Sequence, residues 1–410
     1  MKKIRCKLKE LMAKQNPPLS QYQLAKETEL SVNAISRLYK EDFERIDCKT
    51  AETLCNHFGC DLCELFSLEA DSSQRVTGDE IRKQYAAGKR DFSKIDLTKA
   101  NLSGINLTEV VLTAAILKDA SLPNADLSQA NLDNVDLRKA NLNGANLNTA
   151  TLRGAKLSEA ILDSAMLVYA ELTDAELSKA SLQNAELGWA NLSGALLIGA
   201  KLNNAKMARA NLRTADLTNA DLKQANLSWA DLRETKLIGA DLKDAVLEGD
   251  CLVDADLSNA NLSNANLKRT DLSNANLSNA NLKRTNLSSA NLKRTNLSSA
   301  NLSSGNLYGT DLSTCNLNGI DLSGADLRRA NLSSAVLRGA NLSHAKLEDT
   351  DLKYADLSEA DLTGVEQSKA DLRGATMPDG TRHDDGMNYG RDYKPSPENE
   401  LDKLYDSLEF

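Results

Sequence analysis

Cys55, Cys60 and Cys63 stand with four and then two residues between them, a spacing used to hold iron–sulfur clusters, and Cys6, Cys48 and His57 are near enough in sequence to complete a ligand set. Such ligands sit on a loop and need a distant fourth cysteine. Cys55 and Cys60 instead fall on apolar positions of predicted helices, where a free thiol behaves as a small hydrophobe. Core packing is the expected role, with no metal and no cofactor. The chain holds only three histidines, His57, His344 and His383, well separated in sequence. No nucleophile with a neighbouring base, no paired catalytic carboxylates and no phosphate-cradling glycine loop is present. Enzymatic activity is not expected, so function must lie in surfaces.

Those surfaces rest on a repeat. From Phe92 to Met377 every fifth residue is Leu, apart from Phe92, Met207, Gln367 and Met377, and the residue two before it is usually Ala, giving the unit A(D/N)LSx. In an α-helix five residues advance about 500°, which scatters the leucines around the axis. In a flat strand an odd period sends alternate leucines to opposite faces. Both are excluded. What remains is a coil that turns a corner every five residues, with Leu on a common axis and Ala beside it. Aromatics make up only 4% of the 410 residues, so a core of mixed large side chains is not expected, and leucines stacked between coils must replace it.

This repeat resembles the pentapeptide-repeat family, and the resemblance implies an all-β, right-handed quadrilateral β-helix over 92–377 with four repeats, or 20 residues, per coil. Five residues per side is read from the sequence; four sides come mainly from the resemblance. One internal pattern agrees with 20. Tyr169, Trp189, Arg209 and Trp229 stand 20 apart, followed after Gly249 by Arg269. On a square coil they stack on one outward face, at steps that let Arg209 lie between two indoles. This column is the expected protein-interaction surface. Three LysArgThr segments, at 268, 283 and 293, differ by 15 and 10 and fall on three faces, so they do not make one basic groove. Asp250, followed by Cys251, occupies an inward Ala slot with Thr270 one coil on; a bulge or a satisfied side-chain bond is expected there. Gln367 replaces a core Leu near the end of the rod. Short helical caps are expected at both ends: 77–91, with Thr77 as cap and Gly88 near its stop, and 378–410, where a Met377-Pro-Asp-Gly-Thr turn precedes an amphipathic helix over Pro397–Leu408.

Residues 1–68 lack the five-residue register and read as a small all-α domain, joined by a linker over 69–76. Apolar spacing predicts helices at about 2–14, 20–28, 31–40, 49–58 and 61–66. The stretch Ser20-Gln-Tyr-Gln-Leu-Ala-Lys-Glu-Thr-Glu-Leu-Ser-Val-Asn-Ala-Ile-Ser-Arg-Leu38, with Leu24, Ala25, Ile35 and Leu38 at packing positions, resembles the Cro/C1-type helix-turn-helix. Glu29 stands in the turn where that family prefers Gly. The resemblance implies that Gln21 meets phosphate, that Asn33 and Arg37 face base edges and that Val32 meets a thymine methyl. Lys40, with Lys2, Lys3, Arg5, Lys7 and Lys9, adds sequence-independent phosphate contacts. Residues 1–70 hold 11 basic and 11 acidic side chains, so a homodimer is expected to be needed for tight binding.

The net charge is −9, no apolar run approaches a membrane span, and the cationic first residues lack an unbroken apolar stretch, so no membrane association and a cytoplasmic location are expected. The function expected is a DNA-binding regulator whose helix-turn-helix is joined to a protein-interaction rod. The alternative is a DNA-mimicking or scaffold rod that binds a topoisomerase or another protein without binding DNA; against it, the repeat's acidic charge is dilute.

Overall fold

The five-residue period winds into coils of twenty. In the computed structural model, which describes residues 2–15, 17–40, 47–70 and 76–383, the residue before each core Leu pairs in parallel with the residue twenty ahead, from Asp91↔Val111 and Asp96↔Ile116 to Asp356↔Thr376. Four pentapeptides therefore close one lap. The Leu97 N–H donates to the Ile116 carbonyl at 2.7 Å and the Ile116 N–H returns to Ile95 at 2.8 Å, a pattern repeated from coil to coil. The central leucines and the alanines face the shaft; Leu102, Leu107 and Ala115 have no solvent exposure. A small side chain is needed beside Leu because two rows of side chains share the narrow interior.

Each corner is a β-turn. The Ala100 N–H donates to the Leu97 carbonyl at 2.9 Å, and the third residue of that turn, Lys99, has φ 60°. A positive φ at this place suits Gly and Asn and costs most other residues free energy. The Asp/Asn preference also has a local cause. Asn101 Oδ1 accepts the Ser103 N–H at 3.1 Å and Asp126 Oδ1 accepts that of Ser128 at 3.0 Å, each an Asx turn that sets the approach to the corner. Between coils the Asn211 amide donates to Asn191 and that of Asn281 to Asn261, both at 3.0 Å.

At most slots where Thr replaces Ala, its hydroxyl donates to the carbonyl of the Leu 23 residues earlier: Thr270 to Leu247 at 2.8 Å, Thr285 to Leu262 at 2.9 Å, Thr295 to Leu272 at 2.8 Å; Thr310 donates instead to Leu307 at 2.6 Å. The polar atom is thereby satisfied in a dry interior. Asp250 departs from this rule. No bulge forms, since Cys251 keeps its pairing with Asp231 and Asp271. Asp250 Oδ1 accepts the Ala230 N–H at 2.9 Å, but Oδ2 is buried without a partner. Thr270 spends its hydroxyl on Leu247, so the neighbour expected from the sequence is not a partner.

The first coil is covered by a helix, Gly78–Ala86, whose Thr77 cap accepts the Glu80 N–H at 3.3 Å. Its Tyr85 hydroxyl donates to the Thr108 carbonyl at 2.8 Å and Arg82 to that of Ser103 at 2.9 Å, satisfying edge groups. Gly78 permits the contact, because a Cβ there would lie 1.9 Å from the Asn101 oxygen. At the other end Gln367 is exposed in a single turn of 3-10 helix, Gln367–Lys369, and the ladder resumes at Asp351↔Asp371. Thr376 then pairs antiparallel with Arg382 around the turn that follows Met377. The amphipathic helix expected over Pro397–Leu408 lies outside the described residues.

The contacts divide the chain into Met1–Val76 and Thr77–Phe410. In the first unit, β1 (Lys2–Cys6) is followed by α1 (Leu8–Ala13), α2 (Gln21–Thr28), α3 (Val32–Tyr39), α4 (Cys48–Phe58), α5 (Leu62–Leu65) and β2 (Phe66–Ala70). Helix is expected from residue 2, yet residues 2–6 are a strand, paired antiparallel with 66–70 in the register Lys2↔Ala70 to Cys6↔Phe66. A partner sixty residues away supplies the ladder, and that long-range pairing overrides the local pattern. Leu8, Met12, Leu24, Ile35, Leu54 and Leu65 form the core.

Candidate functional site

The first candidate surface is built on α2 and α3. Ser20 caps α2, accepting the Gln23 N–H at 3.2 Å while the Gln23 side chain accepts the Ser20 N–H at 2.9 Å. Ser31 caps α3 through the Ala34 N–H at 3.1 Å. Glu29 ends α2 with φ 58° and ψ 13°, the left-handed conformation for which Gly is the usual choice. Leu24, Ala25, Ile35 and Leu38 are buried, as their packing positions require. With that side of α3 committed to the core, Val32, Asn33 and Arg37 are left exposed, and Asn33 and Arg37 stand one turn apart. Lys40 is exposed at the end of α3. Gln21 is half-buried at the start of α2, whereas Tyr22 beside it is 72% exposed. Sequence reasoning passed over Tyr22; its place in the first turn after a cap is the one signal that marks it.

Cys55 and Cys60 pack at the margin of the helical core, and the Cys60 N–H caps α4 on the Cys55 carbonyl at 3.0 Å. Burial, with Cys55 alongside, pushes the Cys60 thiol up and disfavours the thiolate a metal would need. His57 turns to Glu27 at 3.5 Å. The Cys63 side chain lies outside the described residues. Among the described residues no three His, Cys, Asp or Glu side chains are grouped to hold a metal ion.

The second candidate surface is the column. Its residues are not on a flat face but at one corner of the coil, each in the left-handed conformation: Tyr169 φ 59°, Trp189 φ 60°, Arg209 φ 61°, Trp229 φ 65° and Arg269 φ 60°. Side chains at such a corner lean toward the next coil. Tyr169 stacks on Trp189 with ring centres 6.0 Å apart and planes 19° apart, and the Arg209 guanidinium lies 4.7 Å over the Trp189 ring. Trp229 does not complete a sandwich around Arg209. It lies against Gly249, where a Cβ would come within 2.7 Å of the indole. Tyr169 and Trp229 are each 56% exposed and Trp189 49%. Bulky aromatics in a conformation better suited to Asn or Gly are held there at a cost, and the small Gly188, Ala208 and Ser228 share the same corner turns.

These features define a β-helical solenoid accompanied by a helix-turn-helix. A family model described as a Cro/C1-type HTH DNA-binding domain matches residues 7–71, and one described as pentapeptide repeats matches 91–194, 210–249 and 251–377 in successive stretches. The chain belongs to the pentapeptide-repeat family, with a right-handed quadrilateral β-helix and an N-terminal Cro/C1-type domain. It is similar to HetL of the cyanobacterium Nostoc sp. strain PCC 7120, a pentapeptide repeat protein involved in heterocyst differentiation regulation, at 33% identity over 75% of this chain and 100% of that one, with a TM-score of 0.21. It is also similar to trypsin-treated QnrB1, a plasmid-mediated fluoroquinolone resistance protein, at 19% identity over 44% of this chain and 90% of that one, TM-score 0.29. A third is the pentapeptide repeat protein Rfr23 of the cyanobacterium Cyanothece 51142, at 40% identity over 24% and 62%, TM-score 0.15. None of the curated proteins searched matches. Among the described residues no helix is long and apolar enough to cross a membrane.

Proposed function

We propose that the protein is a non-enzymatic DNA-binding regulator in which the helix-turn-helix reads DNA and the β-helix carries a protein partner. The observation that carries this reading is α3, capped by Ser31, with Ile35 and Leu38 buried and Val32, Asn33 and Arg37 exposed. Asn matches adenine and Arg matches guanine through paired donor and acceptor groups in the major groove. Gln21 and Lys40 take phosphate roles, and Tyr22 joins them through its hydroxyl. Because the domain's own charge is balanced, a homodimer with two half-sites supplies the affinity.

Footprinting of the full protein on its own promoter region tests the reading. Asn33→Ala and Arg37→Ala are each expected to weaken protection by about 1–3 kcal/mol and to relax the preference at one base pair; unchanged footprints would reject the assigned recognition helix. The partner side rests on Tyr169, Trp189, Arg209, Trp229 and Arg269. Replacing Trp189 and Trp229 together by Ala is expected to abolish capture of the partner, and equal capture would reduce the column to covering.

A further inference from the structure

Three LysArgThr segments, set apart above as lying on different faces, come together in height. One coil climbs about 4.8 Å, and residues 268 to 293 span one and a quarter coils, so Lys268, Arg269, Lys283, Arg284, Lys293 and Arg294 occupy a band about 6 Å tall. Each segment ends in a Thr that fills an inward slot, which makes its Lys and Arg the two central residues of a corner turn, with φ 60° at Arg269 and 58° at Arg284 and Arg294. Across one wall, Lys283 and Arg284 stand at the first corner and Lys268 and Arg269 at the second. Lys293 and Arg294 continue the band at the corner beyond the next wall.

The band is electrostatically unlike the rest of the rod. Residues 257–310 hold these six cations and a single acidic residue, Asp271, in a chain of net charge −9. Elsewhere several cations rest on carboxylates: Arg138 on Asp136 and Arg328 on Asp326 at 2.6 Å, Lys353 between Asp351 and Asp371 at 3.3 Å each. In the band, Lys293 reaches Asp311 at 3.7 Å, and among the described residues the other five have no carboxylate within ion-pair distance. Asp271 is engaged by the Asn291 amide at 2.9 Å and the Ser273 hydroxyl at 2.7 Å. Lys283, Arg284, Arg269, Lys293 and Arg294 are exposed, and the surface around them is Asn and Ser, which bond phosphate oxygens without adding charge.

We propose that residues 257–310 form a cationic collar that binds the sugar–phosphate backbone of duplex DNA without reading its sequence. Charge complementarity and the two Lys-Arg corners that flank one wall, 283–284 and 268–269, carry the proposal, and only the choice of DNA among polyanions rests on the DNA-binding reading of the N-terminal domain. A straight duplex meets one wall and its two corners, so about three phosphates are neutralised.

The test compares the full chain with a variant carrying Lys268→Ser, Arg269→Ser, Lys283→Ser, Arg284→Ser, Lys293→Ser and Arg294→Ser. Neighbouring pentapeptides already hold Ser at these two positions, as at Ser288 and Ser289 or Ser298 and Ser299, so the coil is retained and circular dichroism verifies it. Fluorescence anisotropy with a labelled random-sequence duplex is read across a salt series. The variant is expected to lose about tenfold or more in affinity at low salt, with a slope of log K on log salt shallower by about 3. Equal affinity and slope would overturn the collar, as would a variant whose one change is lost self-association in sedimentation. Footprinting of Asn33→Ala with Arg37→Ala on the promoter region tests the recognition helix separately. If those two substitutions spare the promoter footprint while the collar variant loses duplex binding, the recognition-helix reading fails and the collar stands.

Discussion

Asp250 is a carboxyl group in a shaft of leucine and alanine. Burial pushes its pKa from the ordinary 3.8 up to about 8, opposed by a backbone hydrogen bond from Ala230. The carbonyl 23 residues before position 250 belongs to Leu227, and the Ala230 N–H donates both to it, at 2.8 Å, and to Asp250 Oδ1, at 2.9 Å. A protonated carboxyl is an uncharged group in this shaft, whereas an ionised one leaves Oδ2 an unpartnered buried charge. The sign follows from the folded state holding the proton more tightly. Asp250's contribution to stability is fully present below about pH 4 and is lost as pH rises toward about 8. Thermal unfolding should therefore show Asp250→Thr more stable than the native chain by several kcal/mol near pH 8, with the gap closing toward pH 4; parallel curves would refute the protonated carboxyl. Glu29 is a second such residue. Its left-handed φ of 58° at the end of α2 predicts that Glu29→Gly stabilises the N-terminal unit by about 1 kcal/mol, read by urea unfolding.

At the scale of the element, the corner decides what a side chain can touch. A left-handed residue leans onto the corner one coil ahead, so aromatics and glycines are paired at a separation of 20: Trp229 over Gly249, His344 over Gly364, Tyr354 over Gly374. Gly249 and Gly309 occupy the same corner column, with φ 76° and 64°, but only Gly249 has a ring against it. Both Gly→Ala changes cost about 1 kcal/mol for the backbone conformation. Gly249→Ala should cost more, and should shift tryptophan emission to longer wavelength as the indole at position 229 is pushed into water. Equal costs and an unshifted spectrum in the two variants would show that the contact is incidental. The five-residue period predicts a corner but is silent about its φ, and therefore about the direction in which a corner side chain points. The sandwich of Arg209 between two indoles failed for that reason. Helix expected over residues 2–6 failed for a related one: its strand partner, 66–70, is remote in sequence.

Across the whole molecule, the β-helix is a sum of coils that each contact their neighbours. Removing residues 312–331, one full lap, should leave the circular dichroism spectrum and cooperative unfolding intact, because every later Leu keeps its wall. Removing 312–314 should abolish cooperative unfolding, since a three-residue shift turns each later Leu out of the shaft. Loss of structure in the first deletion, or none in the second, would contradict a coil of twenty. The sequence by itself determined the five-residue side, the leucine shaft with its alanine slots, the covering helix at Gly78–Ala86 and the packing residues of the helix-turn-helix, because each is written in spacings shorter than one turn or one side. Tertiary structure decided the rest: the strand at Lys2–Cys6, the corner position of the aromatic column, the unpartnered oxygen of Asp250 and the common height of the three LysArgThr segments. Those depend on which residues the winding brings together across twenty or sixty positions, and no local pattern carries that distance.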